Sequence, residues 1–141
     1  MMKTQFALTV MLVLLLAACA PSQQLPALPA TINRDCGPAD GPAFTVEVPM
    51  EARGRLVVSI WQAPEIRGRG RFTLTDPTDA TGSATLFTSA DAYEPLSGTI
   101  TFEGVNSERP VRGDLKLVSA SGEVFETAFT AEWGDFQAYC G

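Results

Sequence analysis

A two-residue alternation of apolar and polar side chains, repeated along most of the chain, constrains the fold more than any other feature. Phe44, Val46 and Val48 alternate with Thr45 and Glu47. The same rhythm sets Leu56, Val58 and Ile60 against Arg55, Val57, Ser59 and Trp61, and Phe72 and Leu74 against Arg71, Thr73 and Thr75. It returns at Ala84 and Leu86, at Leu96, Ile100 and Phe102, at Leu115 and Leu117, and at Phe125, Phe129, Ala131 and Trp133. Neighbouring side chains of a strand point to opposite faces, so each run predicts a strand with one buried and one wet face. Turn residues separate the runs: Ala63-Pro64-Glu65, Asp76-Pro77-Thr78-Asp79, Asn106 to Pro110, and Ala120-Ser121-Gly122. No helical stripe occurs beyond Cys19. The expected fold is all-β, an antiparallel β-sandwich or small β-barrel of about seven or eight strands.

Two details refine this expectation. Gly98 leads Ile100 and Phe102, and Gly113 leads Leu115 and Leu117, one strand plus a turn later, as in a meander. Register follows from face matching, because a slip of one residue turns every side chain over. A three-residue loop around Ser121-Gly122 then sets Leu117 opposite Phe125 and Lys116 opposite Glu126. Phe44, Phe72, Phe102, Phe125, Phe129 and Trp133 fall on inward faces and are read as core. The inward set also holds Gly98, Gly113, Ala84 and Ala131, which either let strands pack closely or leave a ligand cavity.

The N-terminus has a different character. Lys3 is the only charge before Cys19, and an apolar run from Phe6 to Leu16, broken only by Thr9, follows it. About 11 apolar residues suit a secretory signal, whereas a membrane span needs roughly 20. Leu16-Ala17-Ala18-Cys19 resembles the lipobox of bacterial lipoproteins. The resemblance covers the first 19 residues, and a general likeness to small all-β domains of such lipoproteins, carried by the glycine-led strands and the terminal cysteine, extends it. It implies a signal peptide at 1–18, cleavage before Cys19, and lipidation of Cys19 by a diacylglycerol thioether and often a further acyl chain such as palmitate. Two or three chains give stable anchoring. An ordinary cleavable signal with a chance cysteine is the alternative. Ala20 stands where an Asp would retain such a protein in the inner membrane, so the resemblance favours the periplasmic face of the outer membrane.

Residues 19–34 read as a lipidated cysteine and a Pro-rich tether, and 35–141 as one β domain. Ala20 to Ala30 carries three prolines and no charge, which suits an extended linker. Export would place Cys36 and Cys140 in an oxidising compartment, where the pair reads as a disulfide between the two ends of the domain. Two free thiols are the alternative, and the absence of CxxC spacing argues against redox chemistry.

The remaining inventory narrows function. The chain has no histidine, which removes Ser-His-Asp and Cys-His catalysis and His-based zinc sites. Asp76 to Asp79, and Asp91 with Glu94, lack the ligand density of a calcium loop and read as turns. No glycine-rich phosphate loop follows a strand into a helix. No catalytic residue, metal or cofactor is therefore expected. A net charge of −6 for the whole chain offers nothing to nucleic acid. Arginine is concentrated at Arg53, Arg55, Arg67, Arg69 and Arg71. On an extended strand Arg67, Arg69 and Arg71 share a face, and a hairpin through Pro64 would bring Trp61 beside them. Such a surface would take an anionic envelope component, either a phosphate-bearing glycolipid or an acidic partner protein. The competing reading is a solvated face whose arginines pair with nearby carboxylates. Two functions are open: a non-catalytic binding or structural module on the membrane, and a β-barrel carrier of a small apolar ligand. Cys19→Ser is expected to abolish incorporation of radioactive palmitate and to leave a precursor of unprocessed size; a labelled variant refutes the lipobox assignment.

Overall fold

The computed structural model describes residues 25–75, 80–136 and 138–141. The signal segment, Cys19 and the Asp76–Asp79 turn lie outside them. Among the described residues eight strands form: β1 (Leu28–Cys36), β2 (Pro42–Pro49), β3 (Arg55–Trp61), β4 (Gly70–Leu74), β5 (Gly82–Phe87), β6 (Tyr93–Phe102), β7 (Val111–Ser119) and β8 (Val124–Trp133). Two short 3-10 turns, Pro38–Asp40 and Glu51–Arg53, are the helical elements described. The sheet runs β4-β6-β5-β3-β2-β1-β8-β7 and closes by pairing β6 with β7. The fold is thus a closed seven-stranded barrel with one extra strand. Of the two expected architectures it is the barrel.

The extra strand has a simple origin. β6 offers one edge to two partners: Tyr93–Leu96 pairs with β5, and Gly98–Phe102 pairs with β4. Both are antiparallel to β6, so together they occupy one position in the ring. A ring of seven positions cannot alternate direction all the way round, because the number is odd. One neighbouring pair must be parallel, and it is β1 with β8, Leu28 opposite Phe129 through Ile32 opposite Trp133. Every other pairing is antiparallel. The expectation of a wholly antiparallel sheet is corrected at this one seam.

The expected domain boundary also moves. β1 begins at Leu28, so Leu28 to Arg34 belong to the barrel and not to the tether. Ala30 and Ile32 are buried, and Leu28 packs against the core. Extending the β1–β2 register beyond Thr31–Glu47 would set Pro29 opposite Pro49, and the ladder stops before them. Neither proline has an N–H to donate.

Elsewhere alternation translates directly into burial. β7 reads buried-exposed without a break from Val111 to Leu117, and β3 buries Leu56, Val58 and Ile60. The two glycine-led segments pair with each other, Gly98 opposite Leu117, Ile100 opposite Leu115 and Phe102 opposite Gly113. Leu117 opposes Phe125 and Lys116 opposes Glu126, as face matching predicts. The expected hairpin through Pro64 does not form: β3 gives its free edge to β5, and β4 pairs with β6. The chain from Gln62 to Arg69 crosses the barrel mouth instead, with Ile66 bridged to Val105 by two backbone hydrogen bonds of 3.0 and 2.9 Å.

The lumen is filled by side chains. Phe102 stands at its centre, edge-on to Phe44 at 5.3 Å, Phe129 at 5.9 Å and Phe72 at 6.0 Å between ring centroids. Phe44, Phe102, Phe125 and Phe129 are all but inaccessible, and each contributes about 1.5–3 kcal/mol by burial. Cys36 and Cys140 are joined by a disulfide, Cα–Cα 5.5 Å, across 104 residues. It fastens the segment after β8 to the end of β1. In the chain-entropy model a loop of that size corresponds to about 4.7 kcal/mol, an upper bound.

Gly98 marks the point at which β6 changes partner. Its φ is +147°, and a Cβ there would overlap the Lys116 carbonyl oxygen of β7. Gly98→Ala is expected to lower stability by about 2 kcal/mol or more in urea unfolding, because neither the backbone angle nor the neighbouring strand can yield cheaply. An unchanged midpoint refutes this account of the fork.

Candidate functional site

The barrel has two unlike ends, and strand direction sets both. At the near end β1 begins, and the turns β2–β3, β5–β6 and β7–β8 lie together. At the far end are Cys36, Trp61, Phe102, Val111 and Trp133, together with the crossing segment from Gln62 to Arg69.

Arg53 covers the core at the near end. Its guanidinium lies 4.9 Å from the centroid of Phe125 and donates to Glu123 Oε1 at 2.9 Å. Arg55 stacks on Phe87 at 4.9 Å and donates to Glu47 Oε2 at 2.6 Å. These two arginines, adjacent in sequence to the others of the cluster, are thus separated from them by the length of the barrel.

The far end is closed by Arg34, a residue that the sequence reading leaves in the tether. Its Nη1 donates to the Pro64 carbonyl at 2.6 Å, its guanidinium lies 5.0 Å from the Trp133 ring, and Glu65 is 3.8 Å away. Trp133 Nε1 in turn donates to the Asn106 carbonyl at 2.7 Å. Ala63 and Ile66 of the crossing segment pack on the core beneath. The mouth is therefore shut by a guanidinium, an indole and two strapped loops.

Arg67, Arg69 and Arg71 are all exposed at this far end. Arg71 lies on the outer face of β4, opposite Thr101, while Phe72 and Leu74 alternate with it or face the core. Arg69 precedes the strand and lies 3.8 Å from Asp114 of β7, both well exposed. Gly68 has φ +71° and sits in a bend, so the two-residue repeat that would align Arg67 with Arg69 is broken there. Arg67 and Arg71 have no ion-pair partner among the described residues. Trp61 does not join them through a hairpin. It pairs with Ala43 of β2, its amide donates to the Thr81 carbonyl at 3.0 Å, and its indole packs on Gly37.

Trp61 instead borders a polar line across β1, β2 and β3. Asp35 accepts from the Cys36 amide and the Thr45 hydroxyl, both at 2.8 Å, and Thr45 meets the Ser59 hydroxyl at 2.9 Å. A carboxylate only accepts, so Thr45 donates to Asp35 and Ser59 donates to Thr45. The proton of Ser59 is thus directed to the Thr45 hydroxyl, and the line ends on the Asp35 carboxylate. The line ties three strands together.

A groove of about 660 Å³ runs along the outer face of β7 and β8 beside Leu25 and Ala27. It exists because Ala128 and Thr130 are short, while long side chains rise on either side. Those long side chains are already matched: Lys116 with Glu126 at 3.5 Å and Arg112 with Glu103 at 3.6 Å. All are exposed, and such pairs contribute roughly 0–1 kcal/mol each. The groove carries no concentrated charge of either sign. Among the described residues no group of three or more His, Cys, Asp or Glu is placed to hold a metal ion. No described helix is long and apolar enough to cross a membrane.

No protein-family model matches the chain, and neither a curated protein nor a solved structure matches it.

Arg34 offers a direct check on the closed far end. Arg34→Ala is expected to lower stability by about 1–3 kcal/mol through loss of a charge-assisted hydrogen bond and a stacked guanidinium. Arg34→Lys should recover only part of this, because a point charge cannot stack and donate at once. Unfolding midpoints of the two variants equal to wild type refute the assignment.

Proposed function

We propose that this chain is a lipid-anchored lipoprotein of the bacterial cell envelope, held at Cys19, whose barrel is a non-catalytic binding or structural module that works through its outer surface. The single observation that carries the second half is the filled lumen. Phe44, Phe72, Phe102 and Phe129 meet ring to ring where a carrier would hold its ligand. A small apolar ligand needs a cavity of about 300 Å³ or more, and these rings occupy the volume. The reading as an apolar carrier is therefore the weaker one. The first half rests on Leu16-Ala17-Ala18-Cys19, and Ala20 favours the periplasmic face of the outer membrane. The Cys36–Cys140 disulfide is in keeping with export. The exposed arginines Arg67, Arg69 and Arg71 are the part of the outer surface best suited to an anionic partner, and Trp61 is not brought to them by a hairpin.

Native mass spectrometry of the protein extracted from envelopes tests this reading. The expected species has the mass of the polypeptide from Cys19 with its disulfide and covalent acyl chains, and it fractionates with the outer membrane. A non-covalent apolar molecule retained at unit stoichiometry would establish the carrier instead.

A further inference from the structure

We infer that the outer face centred on β6 and β7 rests on anionic phospholipid headgroups of the leaflet that holds Cys19; this deepens the proposed anchoring and rests on it. Three observations lead to it. The first is where the chain enters the barrel. Leu25 and Ala27 line the outer groove together with Arg112, Asp114 and Lys116 of β7 and Ala128 of β8. The chain therefore comes in from Cys19 over this face. Leu25 is six residues from Cys19. Six residues at full extension reach about 20 Å, so the lipid is held within that distance of the groove. Leu25 is itself exposed, which makes the margin nearest the lipid apolar.

The second is the gathering of cations about the same face. Arg69 reaches across β6 to Asp114 in the groove, at 3.8 Å. Arg71 stands on β4 opposite Thr101, whose partner on β7 is again Asp114. A smaller cleft of about 170 Å³, lined by Gly104, Asn106, Arg109 and Pro110, adjoins the groove and shares Glu103 and Arg112 with it. A Cβ on Gly104 would lie 3.6 Å from the Gly68 carbonyl oxygen, so the segment carrying Arg67 and Arg69 borders this cleft. The other described cations, Arg34, Arg53 and Arg55, are stacked on aromatic rings at the two mouths.

The third is the balance of charge. Glu103, Asp114 and Glu126 are matched by Arg112, Arg69 and Lys116. Arg67, Arg71 and Arg109 have no ion-pair partner among the described residues. Glu108 and Glu132 stand at the far corner of the face and leave it cationic in balance. The whole chain carries −6, so the acidic excess lies on the rest of the barrel. An anionic leaflet attracts the one side and repels the other, which orients a barrel already tethered to it. Guanidinium forks suit phosphate oxygens, and the cleft between Arg109 and Arg112 has room for one phosphate group.

Full-length lipidated protein in phosphatidylcholine vesicles, with and without phosphatidylglycerol, provides the test, read by phenylglyoxal modification of individual arginines. Flotation with the neutral vesicles first reads the anchoring; protein that does not float refutes Cys19 anchoring and this inference with it. In floating protein, Arg67, Arg71 and Arg109 are expected to react at least about threefold more slowly when phosphatidylglycerol is present, and the difference should shrink as salt rises. Arg53 and Arg55 should react alike in both vesicles. The double variant Arg67→Glu, Arg71→Glu should lose the protection of Arg109 with an unchanged melting curve. Equal rates in the two vesicles, from protein that floats, overturn this inference and leave the anchoring standing. Protection of Arg53 and Arg55 in place of the others overturns it, as does protection of Arg109 that survives the double variant. Inorganic phosphate that protects the same arginines equally well in neutral vesicles also overturns it, by assigning the face to a soluble anion.

Discussion

The parallel seam between β1 and β8 is the contact on which the rest of this structure depends. Seven ring positions cannot close in an all-antiparallel sense, so without this seam the sheet would stay open along two edges. Open edges expose rows of unpaired amides and carbonyls, and closure removes them. The seam also brings the first and last strands of the domain side by side. That adjacency places Cys140 within reach of Cys36 and lets Arg34 of β1 stack on Trp133 of β8. The disulfide and the guanidinium plug are consequences of one pairing, both at the end where β1 and β8 finish together.

Closure at seven positions leaves an interior wide enough for side chains and little else. Phe102 takes the axis, with three further phenylalanines packed edge-on around it. β6 delivers Phe102 there beyond Gly98, where the second partner strand takes over from the first. The fork in β6, the filled lumen and the closed far mouth are thus linked. β4 leaves the mouth-crossing segment to enter the fork, and the same segment supplies Ala63 and Ile66 to the core beneath the mouth.

Much of this fold is legible in the residues, and the parts that are not have physical reasons. The strands from β2 to β8 announce themselves by alternation, and the β7–β8 register follows from face matching alone, down to Lys116 opposite Glu126. β1 carries the same alternation in Leu28, Ala30 and Ile32, but prolines at Pro26 and Pro29 disguise it. Proline lacks an N–H, which matters only where a neighbour needs one; at Pro29 the β2 ladder has already ended. Disguising β1 also hides Arg34. Trp61 is misplaced for a different reason. Alternation tells which face a residue takes on its own strand, but not which strand becomes its neighbour. β5, arriving later in the chain, takes the edge of β3 that a hairpin would have used.

The arginines show how sequence proximity and spatial role separate in such a barrel. Arg53 and Arg55 lie just before and at the start of β3, while Arg67, Arg69 and Arg71 lie just before or within β4. A strand of seven residues traverses the barrel between them, so the cluster divides between its two ends. At the near end the guanidiniums are consumed: each stacks on a phenylalanine and pairs with a glutamate. At the far end Arg34 already performs the closing role, stacked on Trp133 and bonded to Pro64. Arg67 and Arg71 are therefore surplus to the closure of either mouth. A guanidinium that neither stacks nor pairs among the described residues adds little to their stability, and its charge is free of the contacts that close either mouth. This excess of cation over structural need distinguishes the far edge from the groove on β7 and β8, whose charges are already matched.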